Sequence, residues 1–246
     1  MRQLTAILLC GTTIFVAAAF AQNASPSFDV ISIKPNVSGS RASGENTQHG
    51  RLTVVNDTVK ELVQLAYGVK DFQITGGPGW LESARYDIVA TTGTADDLSD
   101  ERLGPLLQSL LEDRFGLRAH RETKESTVYS LVVTKGGPKM AVDNGGGESS
   151  SNTNSKSGRT TMIVEKITTT MLASRLERYV GRRVTDHTGL TAAYDFTLTW
   201  AQDQAIDPTG PSLFTALQEQ LGLKLDSTKG SVDMLVIDSV QRPSEN

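Results

Sequence analysis

Gly104-Pro105-Leu106-Leu107-Gln108-Ser109-Leu110-Leu111-Glu112-Asp113-Arg114-Phe115-Gly116-Leu117 returns without a gap, about a hundred residues later, as Gly210-Pro211-Ser212-Leu213-Phe214-Thr215-Ala216-Leu217-Gln218-Glu219-Gln220-Leu221-Gly222-Leu223. Upstream of each copy, Tyr86-Asp87-Ile88-Val89-Ala90-Thr91 answers Tyr194-Asp195-Phe196-Thr197-Leu198-Thr199, and Gly50-Arg51 answers Gly158-Arg159. Self-similarity at a long spacing is the mark of a repeated supersecondary unit. What the copies share is leucines at helical spacing and glycines at helix ends, so the repetition speaks of packing and capping rather than of reactive groups.

Working outward, the first half alternates strand and helix patterns. Phe28 to Ile33 alternates apolar and polar residues and stops at Pro35, and Arg51 to Asn56 is a second short strand. Val37 to His49, rich in Ser, Gly and Asn, reads as a loop. Thr58-Val59-Lys60-Glu61 is a capping box, with Val59, Leu62, Val63 and Ala66 on one helical face before Gly68. Tyr86 to Thr91 is a strand, and the next helix starts at Gly104-Pro105, because proline suits a first helical position. Leu117 to Glu125 and Val128 to Thr134 read as the two arms of a hairpin.

The second half follows the same plan. Thr161 to Val164 is a strand, and Leu172, Leu176, Tyr179 and Val180 form a helical stripe closed by Gly181. Arg182 to Val184 and Tyr194 to Trp200 are strands, Pro211 to Leu221 is a helix, and Leu223 to Asp226 and Val232 to Val240 are strands around a turn at Ser227 to Gly230. The predicted fold class is α+β: two related β-α-β-α-β-β halves with helices on small antiparallel or mixed sheets. The expected boundaries are a leader at 1–21, a first half at 22–143, a flexible Gly/Ser/Asn linker at 144–158 and a second half at 159–246.

The leader reads as an export signal. Arg2 precedes an apolar run from Leu4 to Ala19, and Ala19-Phe20-Ala21 fits small-x-small cleavage. The run is short for a membrane span, so no stable span is expected after cleavage, and the chain is expected in the periplasm or outside the cell. Cys10, the single cysteine, lies inside that leader, which leaves the mature chain without a disulfide, a cysteine–metal site or a cysteine nucleophile. The formal net charge is −4 and aromatics make up 6% of residues, with no basic stripe, so nucleic acid is not an expected partner.

His49, His120 and His187 show no metal spacing. His120 reads as a sheet residue and His187 as a turn residue beside Asp186, with a base role as the alternative for each. No nucleophile elbow, Walker lysine or dinucleotide fingerprint occurs, so no cofactor and no metal is expected. Asp96-Asp97 and Glu112-Asp113 read as helix-start and helix-surface charges. Tyr86 and Tyr194 recur with a following aspartate. In a strand such neighbours face opposite sides, which points the tyrosine at a helix and the aspartate outward. Trp80, in a Gly-Pro-Gly-Trp turn, is either a displayed surface anchor or a lid on the first core. The candidate binding residues are therefore Trp80, Tyr86, His120, His187 and Tyr194.

Taken together, several motifs resemble a known family. They are Phe28-Asp29-Val30, Ile33-Lys34-Pro35, Gly76-Gly77-Pro78-Gly79-Trp80, Arg85-Tyr86-Asp87-Ile88, Leu110 to Leu117 with His120-Arg121-Glu122, Asp186-His187-Thr188-Gly189-Leu190, Tyr194-Asp195-Phe196, Val236-Ile237-Asp238 and Arg242-Pro243-Ser244. The chain resembles the secreted bacterial family called domain of unknown function 3738, expanded in soil bacteria, some of whose members carry the domain on a membrane sensor-peptidase module. The resemblance implies export and no established activity, so it assigns no catalytic residue. The rhythm of the second half is also similar to the short N-terminal domain of secretins and TonB-dependent receptors, a periplasmic docking module. These features favour a non-catalytic binding module for a cell-envelope protein or extracellular ligand. The rival is a hydrolase with a dispersed Asp/Glu/His site.

Overall fold

The structure is a computed structural model that describes residues 26–40, 42–95, 98–143, 145, 148–202 and 210–243. The leader at 1–21 with Cys10, and the Asp96-Asp97 pair, lie outside the described residues. The chain runs through β1 (Val30–Pro35), β2 (Gly44–Gln48), β3 (Arg51–Thr58), α1 (Val59–Tyr67), β4 (Ile74–Gly76), β5 (Arg85–Thr91), α2 (Asp100–Phe115) and β6 (Arg118–Val133). The same order then returns: β7 (Ala141–Val142), β8 (Ser150–Lys156), β9 (Arg159–Thr168), α3 (Thr169–Val180), β10 (Val184–Asp186), β11 (Ala193–Ala201), α4 (Leu213–Ala216) and β12 (Leu223–Ser239).

The fold class is α+β, in three small sheets. Two outer sheets have matching orders, β1-β5-β3-β2 and β7-β11-β9-β8, and a central sheet has the order β10-β6-β12-β4. Each half thus reads β-β-β-α-β-β-α-β rather than the predicted β-α-β-α-β-β. The strands that sequence patterning missed are mainly β2 and β8. Both are edge strands exposed along most of their length, one in the predicted loop and one in the predicted 144–158 tether. They show no apolar alternation because neither face is covered. Their backbones nevertheless pair in full register with β3 and β9. The Ser/Asn-rich stretch is therefore in part a hairpin arm, not a free linker.

The larger correction concerns β6 and β12. The sequence pattern predicts two short strands around a turn at each place, and each is one continuous strand, of 16 and 17 residues. They pair antiparallel from Leu223↔Val133 to Ser239↔Arg118, so Ser227 to Gly230 is mid-ladder opposite Ser126 to Tyr129. The polar middle that suggested a turn reflects position: the strands bridge two separate cores, and their centres cross the gap. Leu117, immediately before β6, and Leu235 and Ile237 of β12 enter the first core, while Leu131 of β6 and Leu223 and Leu225 of β12 enter the second. Each buried leucine contributes about 1.5–3 kcal/mol, so both ends of both strands are firmly held. Gly230 serves space rather than a turn, since a Cβ there would come within 2.9 Å of the Val128 side chain.

The short strands lock the halves together. β4, from the first half, pairs in parallel with β12, and β10, from the second half, pairs in parallel with β6. Each half therefore lends a strand to the other's long strand. Locally the helices follow their predicted signals. Thr58 and Thr168 cap α1 and α3 through their hydroxyls, with the full capping box at Thr58–Glu61. α2 starts earlier than the predicted Gly104-Pro105, at Asp100, so Pro105 lies in its second turn and forfeits one helical bond. The last helix begins at Leu213, capped by Ser212, and ends in a single π turn, Leu217–Leu221.

Candidate functional site

The repeated Tyr-Asp pairs are structural braces. Tyr86 is 3% exposed and meets Phe115 edge-on at 5.5 Å, and Tyr194 is buried in the second core. On the opposite strand face, Asp87 accepts the Asn56 backbone N–H at 2.9 Å and the Asn36 amide at 2.7 Å, and Asp195 accepts the Lys166 N–H at 2.8 Å. Asn56 and Lys166 both have left-handed backbones, with φ of 60° and 53°, at the irregularities of β3 and β9. The two aspartates hold these bulges. Trp80 is half-buried against the first core, with the Arg242 guanidinium 5.0 Å over its ring.

The histidines stand apart. His120 is exposed on β6, its Nδ1 2.9 Å from Asp238 on β12. His187 is exposed after β10, and its backbone N–H donates to Leu131. Asp186 beside it is half-buried, and that partial burial opposes ionisation. Hydrogen bonds from the Thr188 N–H and the Thr169, Thr188 and Thr170 hydroxyls outweigh that and hold its carboxyl below the usual range. Those bonds close the loop on itself through Thr188 and tie it to the first turn of α3 through Thr169 and Thr170.

A cavity lined by side chains from both halves lies elsewhere. A cleft of about 400 Å³ runs between the segment that follows α1 and the pair α3–β10. Lys70, Phe72 and Gln73 line one side; Thr170, Ser174, Glu177 and Arg183 line the other; Val184 and Val232 supply apolar surface. Lys70 spans the gap: its ammonium donates to the Ser174 carbonyl at 2.7 Å, to the Ser174 hydroxyl at 3.2 Å and to Glu177. Glu177 also accepts the Val184 N–H at 3.0 Å, which ties α3 to β10. Gln73 reaches the Asp233 carbonyl of β12 at 2.9 Å. None of the five candidates from the sequence lines this cleft. A sequence signal for it existed: Lys70 and Arg183 each stand two residues after a helix-capping glycine, Gly68 and Gly181.

A second cavity, of about 320 Å³, holds Asp57, Glu61, Glu45 and Ser43. Asp57 is 5% exposed. Burial, reinforced by the charges of Glu61 and Glu45, pushes its carboxyl up to about 6. Glu61 is already engaged by the Thr58 cap. Among the described residues no group of three or more His, Cys, Asp or Glu is placed to hold a metal ion, and no helix is long and apolar enough to cross a membrane.

Fold and site define a two-core α+β protein with a polar cleft where its halves meet. The chain belongs to the family described as Protein of unknown function (DUF3738), whose model matches residues 60–240. The motifs from Trp80 to Asp238 fall within that span. No curated protein and no solved structure matches the chain. The looser likeness to the secretin and TonB module gains no support from these matches.

Proposed function

We propose that this is an exported, non-catalytic binding module of the cell envelope that takes its ligand in the cleft between the halves. The observation that carries the reading is the convergence of Lys70, Phe72 and Gln73 with Ser174, Glu177 and Arg183 around one cavity with apolar surface at Val184 and Val232. Its volume of about 400 Å³ falls in the range of small-molecule sites, roughly 300–1,000 Å³. We read residues 1–21 as the export signal, and the matching element order of the halves as descent from one duplicated unit. Immobilised protein should retain a component of envelope extract. Thr185→Trp, which places an indole in the cleft from an exposed strand position, should abolish that retention while leaving the melting temperature unchanged. Equal retention by both proteins, or none by either, refutes the reading.

The hydrolase alternative has one specific support, the His120–Asp238 pair. An Asp that orients a histidine is half of a hydrolytic relay, but among the described residues no hydroxyl is hydrogen-bonded to the other ring nitrogen. Substrate screening of His120→Ala against the parent protein decides it: activity lost in the variant alone promotes the enzyme.

A further inference from the structure

We infer that the cleft takes a small carboxylate ligand with a short apolar body, its carboxylate bound by Arg183. This rests on the cleft-binding reading above and adds the ligand's chemical class. The argument starts from charge. Of the cleft's four charged residues, three are already satisfied. Lys70 is committed to Ser174 and Glu177, Glu177 is paired in return, and Asp186 has its oxygens filled by threonines and one backbone N–H. Arg183 is exposed, and no hydrogen bond, ion pair or ring contact engages its guanidinium among the described residues.

The unequal halves explain why. Lys70 crosses from the first half to Glu177 in the last turn of α3. Arg183 is its positional counterpart, but α1, the counterpart of α3, ends Gln64-Leu65-Ala66-Tyr67 and carries its acid in the first turn, so the first half offers no matching acid at that position. One latch is made and the reciprocal one is not. A guanidinium with no protein acceptor beside a cavity is suited to a bidentate carboxylate.

The apolar half of the ligand is read from two side chains. Phe72 is half-buried yet packs with neither hydrophobic core, and Val232 is buried at 3% exposure outside both cores. Both line the cleft. An aromatic ring and a valine left out of the cores offer a surface for a few carbons, and Thr185 adds an exposed hydroxyl position on β10. A peptide C-terminus and a free short-chain acid share this chemistry.

The test is an amide-resolved NMR titration of the full mature chain with three probes: acetyl-alanyl-leucine, hexanoate and the neutral acetyl-alanyl-leucinamide. The expected result is saturable shifts at Phe72, Thr185 and Val232 with at least one carboxylate, and roughly tenfold or weaker affinity for the amide, the worth of one charge-assisted contact. Arg183→Gln should erase that preference and Arg183→Lys should keep part of it. Tighter binding of the peptide acid assigns a peptide terminus, and tighter binding of hexanoate a free acid. If the amide binds the cleft as well as the acids do, the carboxylate inference falls while cleft binding stands. A preference that survives Arg183→Gln, shifts confined to other surfaces, or silence from all probes overturns it, and the envelope retention assay then reports separately on the cleft.

Discussion

Gln220 is the residue whose replacement tests the reading of the second half most directly. In the first half, β1 covers the outer edge of β5 along six pairs, Val30↔Thr91 to Pro35↔Tyr86. In the second half, among the described residues, β7 pairs with β11 at Tyr194 and Asp195. The open edge beyond is sealed by a side chain. The Gln220 amide donates to the Thr199 carbonyl at 2.7 Å and accepts the Thr199 N–H at 2.9 Å, two bonds of the kind one strand residue would make. The Pro211 carbonyl takes the Ala201 N–H at 2.9 Å. At the matching place in the first half, the Asp29 backbone bonds the Thr91 carbonyl at 2.8 Å. The π turn that carries Gln220 widens the helix by one residue, a local device often found where a side chain must be re-aimed.

Gln220→Ala deletes both bonds. Each contributes about 0.5–1.5 kcal/mol net, and an unsatisfied peptide group costs about 1–3 kcal/mol when dry. Thr199 is half-buried, so water recovers part of that cost, and the expected loss is about 2 kcal/mol. Urea unfolding measures the loss, and hydrogen exchange at the Thr199 amide locates it. A newly open edge should also make the variant self-associate with concentration, visible in sedimentation. A loss below about 0.5 kcal/mol with unchanged Thr199 protection would refute the edge-seal reasoning.

Asp57 makes a pH prediction. With its carboxyl near 6 in the folded protein and 3.8 as reference, the folded state holds the extra proton between those values, so stability falls as pH rises through this window. The span corresponds to about 2–3 kcal/mol, and Asp57→Asn should recover it at pH 8 while changing little at pH 4, as urea midpoints would report. Asp87→Ala strands two donors and Asp195→Ala one backbone donor, so losses of about 3 and about 2 kcal/mol are expected in chemical denaturation, in that order. Reversal of the order would count against the bulge-brace role. Gly116 and Gly222 both cap helices with left-handed backbones, φ 58° and 67°, but a Cβ at Gly222 would lie 2.1 Å from the Gly137 carbonyl, against 3.9 Å to the nearest atom at Gly116. Gly116→Ala should cost about 1 kcal/mol and Gly222→Ala at least twice that in thermal melts.

The helical parts of the fold were legible because their signals are local. The Thr58 capping box, the leucine stripes and the Gly116 and Gly222 caps act within one or two turns, so a few residues suffice to specify them. The tyrosine of each Tyr-Asp pair was legible too, because strand alternation sends it inward. Edge strands β2 and β8 were not, since a strand with both faces in water is held by backbone pairing alone and leaves no apolar pattern. The middle of β6–β12 misled for a related reason: polarity there marks a gap between cores, not a turn. For the candidate site, the side chains singled out in the sequence were the rare and aromatic ones, and the structure uses two of them, Tyr86 and Tyr194, for packing.

By itself, then, the amino-acid order determined the α+β class, the two halves of similar element order and the position of nearly every helix. Those properties follow from short-range capping and periodicity. Only the tertiary structure decided that β4 and β10 cross to the other half's long strand, that Lys70 reaches Glu177, and that Arg183 is left facing a cleft. Such pairings join residues about a hundred positions apart, and chain topology chooses between otherwise equivalent edges and partners that no local pattern distinguishes.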